Sequence, residues 1–115
     1  MYCMSNHQII VLTGPSGVGK SVLVQRLVKS ALVKKCITCT TRLPRASETN
    51  GVDYHFLNEA EFQIGLKEGA FIESNTHYDN MYGVRYSDLK ILLKQSHVVI
   101  LLNWEGALSL AQALR

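Results

Sequence analysis

From Gly14 to Ser21 the chain reads Gly-Pro-Ser-Gly-Val-Gly-Lys-Ser. This fits G-x-x-x-x-G-K-[ST], a loop pattern that cradles phosphates, at every fixed position. A triphosphate needs many hydrogen-bond donors at close range. Gly14, Gly17 and Gly19 let backbone N–H groups approach, because they lack a Cβ and accept positive φ. Pro15, Ser16 and Val18 complete the cradle. Lys20 suits the β- and γ-phosphates, and the Ser21 hydroxyl suits Mg²⁺. The alternative is a glycine-rich turn that binds nothing. The flanks oppose it: Ile9 to Leu12 is an apolar β-branched run with the character of a buried strand. After the loop, Ser21 to Ser30 carries Val22, Leu23, Leu27 and Val28 at helical spacing. Such a helix points its unpaired N–H groups and positive dipole end at the same phosphates.

A second constellation lies between Thr40 and Phe56. Arg42 and Arg45 stand three apart around a Leu-Pro step that resists helix, followed by Glu48. Two guanidinium forks close together suit a phosphate bidentately. The same block reads equally well as a solvated loop with two surface arginines. Asn50-Gly51 is a turn signal able to close a hairpin. Cys36 to Thr40 reads as a second strand after a polar Lys34-Lys35 connection.

With both blocks in view, the chain resembles the guanylate kinases, nucleoside monophosphate kinases of purine metabolism that move the γ-phosphate of ATP to GMP. The segment from Thr38 to Phe56 is similar to their T-T-R-x-P-R and N-G-x-D-Y-x-F patterns, and Phe71-Ile72-Glu73 and Tyr82-Gly83 match in order. The resemblance implies that Thr38, Arg42, Arg45 and Tyr54 hold the GMP phosphate, with Lys20 and Arg45 catalytic. It places Tyr82 and Gly83 at the substrate, the tyrosine hydroxyl on the phosphate. It places Glu73 on the guanine N1–H and 2-amino group. A carboxylate has two acceptor oxygens, and guanine offers two adjacent donors where adenine does not.

The implied fold is α/β: a P-loop NTPase-type parallel sheet with helices on both faces and a small α+β GMP-binding insert. In one partial domain over 1–115, residues 1–37 form the P-loop core, 38–86 the insert and 87–115 the return to the core. Asn58 to Glu61 looks like a capping box, and Gly69 ends that helix. Phe71 to Thr76 suits a strand and His77 to Met81 a loop. Ser87 suits an N-cap of a helix reaching Gln95. His97 to Leu102 reads as a buried strand and Gly106 to Arg115 as a helix.

Departures from the resemblance fall at three places. Val84 replaces a Ser or Thr expected near guanine. Leu101 and Asn103 replace both carboxylates of an Asp-x-Asp strand end that helps place Mg²⁺, and Glu105 stands two positions later on the next helix. The match covers only the N-terminal part of a full-length member, without the lid or C-terminal region. This predicts poor catalysis, uncovered apolar surface and self-association. Two alternatives stay open: a non-catalytic guanylate-kinase-like binding module, and a P-loop kinase for a phosphorylated sugar.

Composition excludes other classes. The 115 residues are 47% hydrophobic with net charge +3, enough for one modest core and too weakly basic for a general nucleic-acid binder. No apolar run approaches the ~18 residues needed to span a bilayer, and the N-terminus has no secretory pattern, so a cytoplasmic setting and no membrane partner are expected. Cys36-x-x-Cys39 has no second pair at zinc spacing and reads as accidental; Cys3 makes the count odd, against a disulfide framework. His7, His55, His77 and His97 share no short spacing with other ligands.

Overall fold

A computed structural model describes residues 7–14 and 19–115. Pro15, Ser16, Gly17 and Val18 of the phosphate loop, and Cys3, lie outside the described residues. Three strands, β1 (Ile9–Leu12), β2 (Val33–Lys35) and β7 (His97–Leu101), form a parallel sheet in the order β1-β7-β2. The period-2 alternation of β7 organises the core. Val98, Ile100 and the following Leu102 face one side, with Leu89 of α3 (Tyr86–Leu93) and Leu110 of α4 (Trp104–Ala113). Val99 and Leu101 face the other, with Val24 and Leu27 of α1 (Lys20–Lys29). Helices therefore cover both faces, as expected. Among the described residues no helix is long and apolar enough to cross a membrane.

A second sheet has the order β4-β3-β6-β5, from β3 (Cys39–Thr40), β4 (His55–Phe56), β5 (Phe71–His77) and β6 (Asn80–Arg85). It packs with α2 (Glu59–Lys67), whose N-terminus is a complete capping box. Asn58 accepts from the Glu61 N–H at 2.7 Å, and Glu61 accepts from the Asn58 N–H at 2.8 Å. Phe62 of α2 stacks on Phe71 at 4.5 Å between ring centroids.

Several expectations are corrected. Cys36 to Thr40 is not one strand: Val33–Lys35 joins the parallel sheet, and only Cys39–Thr40 joins the second. The Cys36 N–H still bonds the Val99 carbonyl at 2.9 Å before the chain crosses over. Asn50-Gly51 turns the chain, with Gly51 at φ 83°, but closes no antiparallel hairpin, because β3 and β4 run parallel. The stretch from His77 to Met81 is instead a tight β5–β6 hairpin, with Tyr78 and Asp79 at φ 49° and 65°. Positive φ at both central residues is the turn geometry that matches the twist of paired strands. Ser87 lies inside α3, whose N-cap is Arg85 without a side-chain bond. Helix α4 begins at Trp104, because Asn103 caps it by accepting from the Gly106 N–H at 2.7 Å.

Candidate functional site

The three parallel strands deliver their carboxyl ends into one cavity of about 900 Å³. This is where open α/β sheets hold ligands. Thr13 and Gly14 follow β1, Lys35 ends β2, Leu101 ends β7 and Leu102 to Glu105 follow it. From α1 come Lys20 and Ser21, and from the second sheet and its connections come Thr38, Glu48, Tyr54, His77 and Tyr82.

The described ends of the phosphate loop have the backbone the pattern predicts. Gly14 and Gly19 sit at φ 142° and 84°. Gly19 is the N-cap of α1 and makes no side-chain capping bond, so the first N–H groups of the helix face the cavity end without a side-chain acceptor. Lys20 Nζ donates to the Gly14 carbonyl, which folds the ammonium across the loop.

Near Glu48 of the cavity lining, the Arg42 fork grips that carboxylate with two bonds of 2.9 Å each. The same Glu48 accepts from the Arg45 N–H at 2.9 Å, so one carboxylate fixes both arginine positions along the chain. The Arg42 hydrogen bond holds the Glu48 carboxyl down to about 2 and raises the Arg42 guanidinium in turn. The guanidinium carbon lies 5.2 Å from the centre of the Tyr54 ring, and Tyr54 lies 6.2 Å from Tyr82. Burial pushes the Tyr54 hydroxyl up, keeping it a donor. Thr38 is buried, and its carbonyl accepts from the His55 N–H at 2.8 Å. Arg42, Arg45 and Glu73 lie outside the cavity lining, and the Arg45 side chain is exposed. Gly83 also lies outside it: a Cβ there would meet Phe71 at 2.8 Å and Phe62 at 3.1 Å, so Gly83 makes room for aromatic packing.

Glu73 is 4% exposed, and burial pushes its carboxyl up to about 7. Its Oε2 accepts from Asn75 Nδ2 at 3.3 Å, while the buried Oε1 has no partner. Asn103 Nδ2, which lines the cavity, donates to Asn75 Oδ1 at 3.0 Å. Glu73, Asn75 and His77 alternate on the β5 face that packs on α4, where His77 stands 3.4 Å from Glu105. Val84, at the position where a hydroxyl was expected near guanine, is fully buried in the core and paired across the sheet with Glu73. Cys36 and Cys39 are buried free thiols pushed up to about 12 and about 11, first by desolvation, so neither is a thiolate near neutral pH.

Sequence reasoning missed Asn75, Lys35 and His77. Three polar residues alternating at 73, 75 and 77 of a strand were the available signal.

The family model described as guanylate kinase matches residues 6–114. A guanylate kinase of Mycoplasmopsis synoviae is 37% identical over 110 residues, covering 93% of this chain and 56% of that protein. One from Coxiella burnetii is 41% identical over 106 residues, covering 90% and 52%. The crystal structure of guanylate kinase from Anaplasma phagocytophilum superposes with a TM-score of 0.79 at 29% identity, covering 92% of this chain and 54% of that one. The chain thus spans about half the length of the curated relatives it matches.

Proposed function

The chain belongs to the guanylate kinase family, and on that footing we propose that it transfers the γ-phosphoryl group of ATP to GMP, giving ADP and GDP. The observation that carries this reading is a single cavity. It holds Lys20 and Ser21 on one side and Thr38, Tyr54 and Tyr82 on the other, with Arg42 behind Tyr54. Donor and acceptor phosphates need to meet in line, and positioning with charge neutralisation does most of the work in such transfers.

In this reading Gly14, Gly19 and the α1 N-terminus cradle the ATP phosphates, together with Pro15 to Val18. Lys20 leaves the Gly14 carbonyl to reach the β- and γ-oxygens. Arg42, Tyr54, Tyr82 and Thr38 orient the GMP phosphate, with Arg45 swinging in beside the transferred group. Glu73 accepts from the guanine N1–H and 2-amino group. The donor set suits Mg²⁺ that arrives with ATP: a lone Ser21 hydroxyl beside phosphate oxygens and water fits a hard cation needing few protein ligands. Among the described residues no group of three or more His, Cys, Asp or Glu stands ready to hold a resident ion. Bound Mg²⁺ supplies charge neutralisation at the phosphates. Both nucleotides are cytoplasmic metabolites, which supports that location.

The test is GMP-dependent ATP consumption, run beside calorimetry with GMP alone. Turnover with GMP binding is expected. A second reading, a non-catalytic GMP-binding module, draws on the end of β7: Leu101 carries no charge, and Asn103 is engaged by both Asn75 and Gly106. GMP binding without turnover would select it. Neither signal from folded protein would sink both.

A further inference from the structure

The amide of Asn75 has no role in the chemistry above, yet it joins two groups that do. It bonds Glu73 on one side and Asn103, at the cavity wall, on the other. Asn103 in turn is locked by the first turn of α4 through the Gly106 N–H. Gly106 is buried, and a Cβ there would come within 3.0 Å of Asn75 Nδ2, 3.2 Å of Asn103 Oδ1 and 3.4 Å of Glu73 Oε1. The four residues therefore converge on one small polar space, which the glycine keeps open.

Every polar atom in this relay has a partner except Glu73 Oε1. An unpartnered buried acceptor is costly and is rarely left idle. A free carboxylate would rotate about its last torsion and present either oxygen. Asn75 removes that freedom by holding Oε2.

We propose that Asn75 is the positioning residue of the base-reading carboxylate: its amide, held in turn by Asn103, bonds one lone pair of Glu73 Oε2 and fixes the carboxylate plane, so that the partnerless Oε1 and the second lone pair of Oε2 remain for the two donors of the purine edge. This rests on the reading of GMP as acceptor. The clamp also favours the ionised carboxylate, since an N–H donor stabilises the charged form that the guanine edge requires. Burial opposes it and dominates, and the Asn75 bond is the second influence on this group. The other titratable side chains nearby are accounted for. On β6, Arg85 stands 4.0 Å from Asp88 of α3, and Tyr82 faces the Tyr54 and His77 rings. On α4, Glu105 is turned to His77.

The experiment has two readouts on the folded chain, for wild type, Asn75→Ala and Asn75→Ser, the last keeping a donor on a smaller side chain. The first is the Glu73 titration by carboxyl carbon NMR without ligand. The second is GMP affinity by calorimetry at pH 6.5 and 8.5. Losing the clamp should raise the Glu73 midpoint by about one pH unit in Asn75→Ala, with Asn75→Ser in between. GMP affinity should then fall about eightfold at pH 6.5 through loss of the ionised form, and far less at pH 8.5. A Glu73 midpoint unchanged in both variants overturns the proposal, as does an equal loss of affinity at both pH values. If the wild type binds no GMP at all, the substrate reading fails, and the ligand-free titration still decides the role of Asn75.

Discussion

Replacing Glu73 with Gln should make the protein more stable at alkaline pH while removing the charged acceptor proposed for guanine. The Glu73 carboxyl is pushed from an ordinary 4.5 up to about 7, first by burial. The folded chain therefore holds this proton where the unfolded chain has released it. Stability falls as pH rises through the window between 4.5 and about 7, and the loss is complete above it. That gap, at about 1.36 kcal/mol per pH unit, corresponds to about 3 kcal/mol. Little solvent screening reduces it, because the side chain is 4% exposed. Gln has nearly the same shape, accepts from Asn75 through its carbonyl and carries no charge to desolvate. Urea unfolding of both proteins from pH 4 to 8.5, followed by far-UV circular dichroism, reads the difference. Near-equal stabilities are expected at pH 4, with the variant ahead by about 3 kcal/mol at pH 8. Groups of opposite sign, such as Glu48, are common to both proteins and cancel. GMP affinity of the variant should fall about a hundredfold, since one charged acceptor is lost. A stability difference that does not change with pH would refute the placement of Glu73 in a dry, uncompensated site.

Other outcomes follow from the same geometry. Glu48→Gln frees the Arg42 fork and the Arg45 N–H, and should weaken GMP binding about tenfold in calorimetry while lowering stability by about 1 kcal/mol. The wild-type contribution of this pair is present above pH 4.5 and is lost as pH falls toward about 2, the held-down value of Glu48, which acid-unfolding curves of the two proteins will show. Gly106→Ala places a methyl 3.0 Å from Asn75 Nδ2 and should reduce stability by about 1–3 kcal/mol in thermal unfolding, with GMP affinity falling in parallel. GMP binding should release about one proton at pH 6 and almost none at pH 8.5, read from binding heats in buffers of different ionisation enthalpy.

What was legible in the sequence was whatever chemistry is local. The pattern from Gly14 to Ser21 was legible because its defining residue types sit within one short stretch, and its flanks carry opposite periodicities, one for a strand and one for a helix. The capping box at Asn58 and Glu61 is equally local. The edge strand Val33–Lys35 was hidden because an edge needs only one buried side chain: Val33 supplies it, while two lysines mask the pattern. The start of α4 was missed for a related reason. Asn103 was weighed against an aspartate as a ligand, although Asn before a helical run is foremost an N-cap. Val84 was weighed as a lost hydroxyl, and its complete burial shows it to be a core residue as well. Asn75 was beyond reach, because its two partners lie on different elements, one of them 28 positions away.

The corrected role of Asn103 changes how the missing charge at the end of β7 is understood. An aspartate there would also cap α4, since either side chain offers an oxygen to the Gly106 N–H. It would not donate to Asn75 Oδ1 while ionised, and it would put a second negative charge beside Glu73, raising that carboxyl further. The positive end of the α4 dipole works in the other direction, but at roughly 0.3–1 kcal/mol it is smaller than the burial penalty on Glu73. With Asn103 the amide relay is complete, and Glu73 Oε1 is the one oxygen in the cluster left without a partner. The asparagine that leaves the end of β7 without a charge is therefore the residue that completes the hydrogen bonding around Glu73.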